Sequence, residues 1–241
     1  MMSTAPSPAV TLYRVGPIDP ATQSPPVVAG YRQTALRNPA LPLQRRPLTR
    51  SELTGPHEQA ERLAQLGADI AGHGAGLAIG QLMHLRLKIV DEDGAPVGGT
   101  MVEMWQANAA GRYIHPNDDD HAPVDPNFYG AARVLTDESG AIEIRTIKPG
   151  AYPVPDSGHW WRPPHIHFSV WGRVWLSRLV TQMFFPGETL NAEDRILNAI
   201  PDAAARESLV CRALPTSEGP SNALVFEHRL VVRGRRATPA A

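Results

Sequence analysis

Met83-His84-Leu85-Arg86-Leu87-Lys88-Ile89 places four apolar residues on alternate positions with basic ones between them. That two-residue period belongs to a strand with one buried and one wet face. Asp93-Gly94 closes the run with a turn signal. Strands are likewise predicted over 101–105, 142–147, 165–171, 178–185 and 224–232, punctuated by Ser139-Gly140, Pro149-Gly150 and Pro186-Gly187. Short strands that succeed one another without helices between them predict a mainly β chain built as a β-sandwich. Before the last strand, Asn191 reads as the N-cap of a short helix over 192–200, with Glu193 and Asp194 in its first turn. A second short decorating helix is predicted over 203–210.

Upstream of these strands the character changes. Residues 1–56 contain ten prolines and no sustained period, which describes an extended arm. Its apolar residues, among them Val10, Leu12, Tyr31 and Leu36, predict that it lies on the domain or on a partner. Residues 57–66 follow Pro56 and stop at Gly67, which predicts a short helix.

The 241 residues carry a formal net charge of −1, so no overall cationic field exists to hold nucleic acid or an anionic membrane. No apolar run approaches a membrane span, and the first residues lack a charged segment followed by an apolar block; a cytoplasmic address is expected. Cys211 stands alone, which predicts neither an internal disulfide nor thiol chemistry.

His165-Ile166-His167 lies within a predicted strand, so both imidazoles project from one face and are placed to share a metal. The approach, Trp160-Trp161-Arg162-Pro163-Pro164, suits a lined pocket better than a solvated edge. A zinc hydrolase needs a further His, Cys or carboxylate. The cupin arrangement needs a Glu about four residues after the second His, where Trp171 and Gly172 stand. Asp118-Asp119-Asp120 is a possible source of ligands for a hard cation, although such loop runs are usually solvated. Two tyrosines, Tyr113 after Gly111-Arg112 and Tyr152 after Pro149-Gly150-Ala151, occupy loops crowded with Gly and Pro. A neutral phenol is a poor ligand, but a trivalent ion ionises it. Two phenolates and two imidazoles around iron(III) leave one net positive charge and a free position. A tyrosine packed in a turn is the ordinary alternative for each.

The run Val102-Glu103-Met104-Trp105-Gln106-Ala107-Asn108-Ala109-Ala110-Gly111-Arg112-Tyr113 resembles the intradiol ring-cleavage dioxygenases. So do the 39-residue step from Tyr113 to Tyr152, the 13-residue step to His165, and Trp161-Arg162-Pro163-Pro164-His165-Ile166-His167-Phe168. Asp125-Pro126-Asn127-Phe128 and Arg145-Thr146-Ile147-Lys148-Pro149-Gly150 strengthen the likeness, which is greatest to the iron-bearing beta chains of that family. It implies a β-sandwich catalytic domain over 80–235, preceded by the arm and short helix at 1–79 and followed by a tail at 236–241. It also implies Fe(3+) held by Tyr113, Tyr152, His165 and His167, with Tyr152 acting as ligand and base in turn. Arg162 and Gln182 would face the substrate, and Tyr31, Trp105 and Arg162 would contact it. The implied reaction splits a catechol between its hydroxyl-bearing carbons with both atoms of O2. Protocatechuate, giving 3-carboxy-cis,cis-muconate in the beta-ketoadipate route of aromatic catabolism, is the expected substrate; another 4-substituted catechol, for instance a sulfonated one, is the alternative. A homologous alpha chain lacking the ligands is the implied partner in a hetero-oligomer.

One departure concerns the ring substituent. Val154-Pro155 follows Tyr152-Pro153, where the carboxylate-taking members carry Trp-Arg, so the substituent contact is sought at Tyr31, Arg32 or Arg37, or on the alpha chain. Two rivals of other classes stand beside this reading: a non-catalytic binding module with Trp105, Trp160 and Trp161 as an aromatic platform, and a zinc hydrolase built on His165 and His167.

Overall fold

The computed structural model describes residues 19–31, 38–39, 41, 66–73, 76–116, 118, 120–171, 178–220 and 222–232. Among them the strands are β1 Gly72–His73, β2 Gly76–Leu77, β3 Leu82–Asp91, β4 Met101–Gln106, β5 Ala131–Leu135, β6 Ala141–Ile147, β7 Tyr152–Pro153, β8 Trp161–Arg162, β9 His165–Trp171, β10 Arg178–Phe184, β11 Arg212–Leu214 and β12 Leu224–Val232. Eight of these form two four-stranded sheets, ordered β10-β9-β4-β5 and β11-β12-β3-β6. Their pairings are antiparallel except β12 beside β3, which is parallel.

The alternation in β3 does what its period requires. Met83, Leu85, Leu87 and Ile89 enter one buried cluster with Ile144, Phe226 and Leu230 of their own sheet, and with Val102, Met104, Ile166, Phe168, Val170 and Met183 of the other. Side chains of this size each contribute about 1.5–3 kcal/mol on burial, which is what holds two sheets face to face. The predicted β-sandwich is therefore the observed fold.

Local predictions fared differently. β9 and β12 span the predicted residues, whereas β5 was not anticipated. The predicted helix over 192–200 is absent: a 3-10 turn covers Thr189–Ala192, its N-cap is Glu188, and Asn191 lies inside the turn. The Asn191 side chain donates to the Phe185 carbonyl instead of capping a helix. The Asp194 carboxylate accepts from the Ile196 and Leu197 N–H groups and keeps the chain in turns. An α-helix does form at Ala203–Glu207, capped by Asp202 Oδ1 on the Ala205 N–H at 2.7 Å. The predicted helix at 57–66 lies, apart from Leu66, outside the described residues, as do Arg32 and Arg37. No helix among the described residues is long and apolar enough to cross a membrane.

Candidate active site

β9 sorts its side chains by parity. Ile166, Phe168 and Val170 enter the core, so His165 and His167 project from the opposite face of the sheet. Register then places Trp105 of β4 and Gln182 of β10 directly across from His167, one on each side. Trp105 lies flat on His167, ring centroids 5.0 Å apart and planes at 6°. Phe184, the cross-strand partner of His165, packs beside that imidazole at 5.8 Å. His165 is 1% exposed although it points away from the core, because loops cover this face.

Two of those loops deliver the tyrosines, and glycine is what lets them meet. A Cβ on Gly150 would lie 2.4 Å from the Ala109 carbonyl oxygen, and one on Gly111 would lie 2.3 Å from that of Ala151. Gly111 also sits at φ +86°, a left-handed backbone that favours glycine. The Asn108 carbonyl accepts the N–H of both Gly111 and Gly150, tying the loops together. Asp118 accepts the backbone N–H of Tyr113 at 2.8 Å and of Asp120 at 3.0 Å. The acidic run therefore shapes the Tyr113 loop, while Asp119 lies outside the described residues. Tyr113 and Tyr152 end edge to face, with ring centroids 5.5 Å apart.

Three polar atoms converge, with the Tyr113 ring beside them. His165 Nε2 is 3.2 Å from His167 Nε2 and 3.3 Å from the Tyr152 hydroxyl. The Tyr113 ring stands 5.5 Å from Tyr152 and 6.3 Å from His167, centroid to centroid. His165 Nδ1 lies 2.7 Å from the Pro163 carbonyl oxygen, which only accepts, so Nδ1 carries the proton and Nε2 presents its lone pair to the site. Burial, helped by the Arg162 guanidinium, pushes His167 down to about 3; the same causes, with His167, hold His165 well below the ordinary imidazole range. Both imidazoles are thus neutral donors at neutral pH. Burial raises both phenols above their usual range, Tyr113 further because Tyr152 adjoins it, while Arg162 partly offsets the rise at Tyr152. The Tyr113 hydroxyl is buried and makes no well-formed hydrogen bond, with the Tyr152 phenol as its polar neighbour. No group of three or more His, Cys, Asp or Glu placed to hold a metal occurs among the described residues, so the zinc reading finds no third ligand of its usual kind.

Arg162, at the end of β8, is buried and reaches this cluster. Its Nη1 is 3.0 Å from His165 Nε2, and its Nη2 donates to Gln182 Oε1 at 2.7 Å. Its Nε donates to Asp194 Oδ2 at 2.9 Å, an ion pair sealed from water on both sides. Tyr31 packs edge-on against Trp160 at 5.6 Å, and the Arg195 guanidinium lies 5.1 Å over the same indole, whose buried Nε1 has no partner. Val154 is buried and its N–H bonds to the Trp160 carbonyl. The structure thus brings together Tyr113, Tyr152, His165, His167, Arg162, Gln182 and Trp105, with Tyr31 packed on Trp160 and near enough to Tyr152 to act on its phenol. Sequence reasoning missed Arg195, took Asp118 as a possible cation ligand where it holds the Tyr113 loop, and took Asp194 as a first-turn helix residue where it pairs with Arg162. An Asp two residues before backbone N–H groups it can cap was the available signal for Asp194, and it pointed to a turn rather than to Arg162.

A family model described as dioxygenase matches residues 53–234. The chain is 43% identical to the protocatechuate 3,4-dioxygenase beta chain of Burkholderia cepacia, over 97% of this chain and 98% of that one. Among solved structures, 3-chlorocatechol 1,2-dioxygenase from Rhodococcus opacus 1CP superposes with a TM-score of 0.53 at 26% identity, covering 64% of this chain and 60% of the other. Catechol 1,2-dioxygenase from Acinetobacter sp. ADP1 gives a TM-score of 0.52 at 27% identity, covering 68% of this chain and 56% of that chain.

Proposed function

The chain belongs to the intradiol ring-cleavage dioxygenases, and from that premise we propose that it is a non-haem iron(III) enzyme whose metal is held by Tyr113, Tyr152, His165 and His167. The observation that carries this reading is the convergence of two phenols and two neutral imidazoles in one buried cluster. The donor set fits the ion. A buried phenol without a well-formed hydrogen bond, as at Tyr113, is costly as it stands and satisfied by a cation. Hard phenolates and imidazoles suit ferric iron better than a thiolate-seeking ion. Bound iron(III) supplies the field that ionises the phenols and, with a catechol coordinated, the electronic coupling that lets ground-state O2 react with the ring.

The chain's own residues supply the rest. Tyr152 as phenolate takes a proton from a catechol hydroxyl. Arg162 holds two terminal nitrogens at the site, where a fixed positive charge stabilises negative charge developing on the ring carbon. Gln182 fixes one of those nitrogens through its side-chain oxygen. Trp105 sets the plane of His167, and Phe184 packs beside His165. The same reading assigns catalysis to residues 80–235, with 1–79 as an arm and 236–241 as a tail. It takes protocatechuate as substrate, converted to 3-carboxy-cis,cis-muconate, and a homologous alpha chain as partner. Support for both is the likeness, along almost the whole chain, to a protein named as the beta chain of a protocatechuate 3,4-dioxygenase.

Oxygen uptake by the iron-loaded enzyme against catechols differing only at the para position, with products identified, tests substrate and chemistry together. The expected result is one O2 consumed per ring and a colourless muconate, fastest with the carboxylated ring. A sulfonated or neutral ring turned over faster would replace the substrate assignment. A phenolate-to-iron(III) band in the visible is expected to shift in Tyr152→Phe and to vanish with the iron in His165→Ala. Unchanged spectra in both variants would remove the ligand assignment.

A further inference from the structure

We propose that Asp194 is a positioning residue for ring cleavage, its buried carboxylate fixing the Arg162 guanidinium so that both terminal nitrogens face the site. The proposal rests on the catechol-cleaving reading above and extends it to a residue 32 positions from Arg162 along the chain.

Arg162 belongs to a two-residue strand paired only with Tyr152–Pro153, so the backbone alone leaves its long side chain several rotamers. Beside Tyr152 and over the Phe184 ring, the side chain is held by polar contacts that differ in kind. Nη1 and Nη2 face His165 Nε2 and Gln182 Oε1, both neutral, whereas Nε meets an anion, Asp194 Oδ2; with iron on His165 Nε2, the Asp194 and Gln182 contacts are the ones that still hold the guanidinium. Asp194 is itself held from both its side chain and its backbone. Its Oδ1 accepts the Ile196 and Leu197 N–H groups at 2.9 and 2.7 Å, and its backbone oxygen accepts from the Asn198 N–H and side-chain amide at 3.0 and 2.9 Å. Because the guanidinium is planar and rigid, gripping its Nε with a fixed carboxylate sets the plane of the group and with it the directions of both Nη ends, here toward His165 and Gln182. The Asp194 and Arg162 side chains are 0% and 3% exposed, so water cannot replace the carboxylate if it is lost.

Asp194→Asn keeps an oxygen for the two turn N–H groups but turns an amide donor toward Nε. Asp194→Ser, which also caps the turn, serves where the Asn variant does not fold. In iron-loaded enzyme the expected result is a kcat lower by about tenfold or more, a KM within about threefold of wild type, and an unchanged visible band. Added to Arg162→Ala, the same substitution is expected to change kcat by less than about twofold. An undiminished kcat in the single variant, or a further tenfold loss in the double, overturns the proposal. A second arm needs neither metal nor turnover. In metal-free protein the Arg162 Nε–H signal, assigned by its absence in Arg162→Ala, is expected to exchange slowly with water and to lose that protection in Asp194→Asn. Equal protection in both overturns the proposal even if no catechol is cleaved. Absent wild-type turnover on the catechol panel counts against the catechol reading alone, and the exchange result then decides Asp194.

Discussion

Trp105 and His167 lie ring on ring, nearly parallel at 6° and 5.0 Å between centroids, because β4 and β9 set them directly opposite each other. A flat contact of this area fixes the imidazole plane without spending either ring nitrogen. Trp105→Leu keeps an apolar strand residue but frees His167 to rotate. The expected outcome is iron affinity lower by about tenfold, with the fold intact, read as iron per chain after a graded chelator challenge. Retention equal to wild type would show that the stack contributes packing alone.

Gly150 makes a sharper case, because the obstacle is backbone. Its missing Cβ is 2.4 Å from the Ala109 oxygen and 2.7 Å from the Gly111 nitrogen. Gly150→Ala must push the Tyr113 and Tyr152 loops apart, at a cost of about 1–3 kcal/mol. The expected outcome is a lower melting temperature together with a weakened or lost visible band in iron-loaded protein. A lower melting temperature with the band intact would mean that the tyrosine loops adjust independently of their contact.

What was legible in the chain follows from what acts locally. The alternation in β3 reads directly because one of its faces is buried, the apolar runs of β9 and β12 read as strands between turn signals, and parity alone put His165 and His167 on a shared face. β5, Ala131-Ala132-Arg133-Val134-Leu135, has little β-branched character and becomes a strand by pairing with β4, a tertiary cause invisible in a short window. The helix expected over 192–200 failed for a related reason. An acid read as a first-turn helix residue is engaged by Arg162 and by its own turn. Gly111 and Gly150 were legible as turn residues, but not as the points where the two ligand-bearing loops touch.

Cys211 is buried beside Phe184, whose carbonyl accepts its N–H, and burial pushes its thiol up to about 12. Thiolate is the reactive form, so native protein at pH 8 is expected to resist alkylation and to label only as fast as it unfolds. Immediate labelling of folded protein would contradict this buried placement, and rapid loss of activity on labelling would reopen thiol chemistry.

His228 lies on β12 opposite Leu87, buried, with no partner for Nε2, and burial alone holds its pKa down to about 4. In the unfolded chain the ring takes its proton near 6.5. Between these values the unfolded state binds more protons than the folded one, so stability rises with pH across the window and is lost as pH falls from about 6.5 toward 4. Below the folded value no further loss comes from this group. A depression of this size corresponds to roughly 3 kcal/mol, most of it expressed between pH 7 and 4.5. His228→Leu removes the titrating group and its unpartnered nitrogen while filling similar space. Urea unfolding at pH 7 and pH 4.5 is therefore expected to show a smaller stability loss on acidification in the variant, by roughly 2 kcal/mol. The other titrating groups cancel in that difference because both proteins carry them. Equal losses in the two proteins would mean that His228 is already solvated in the native state and that the sandwich is open at β12.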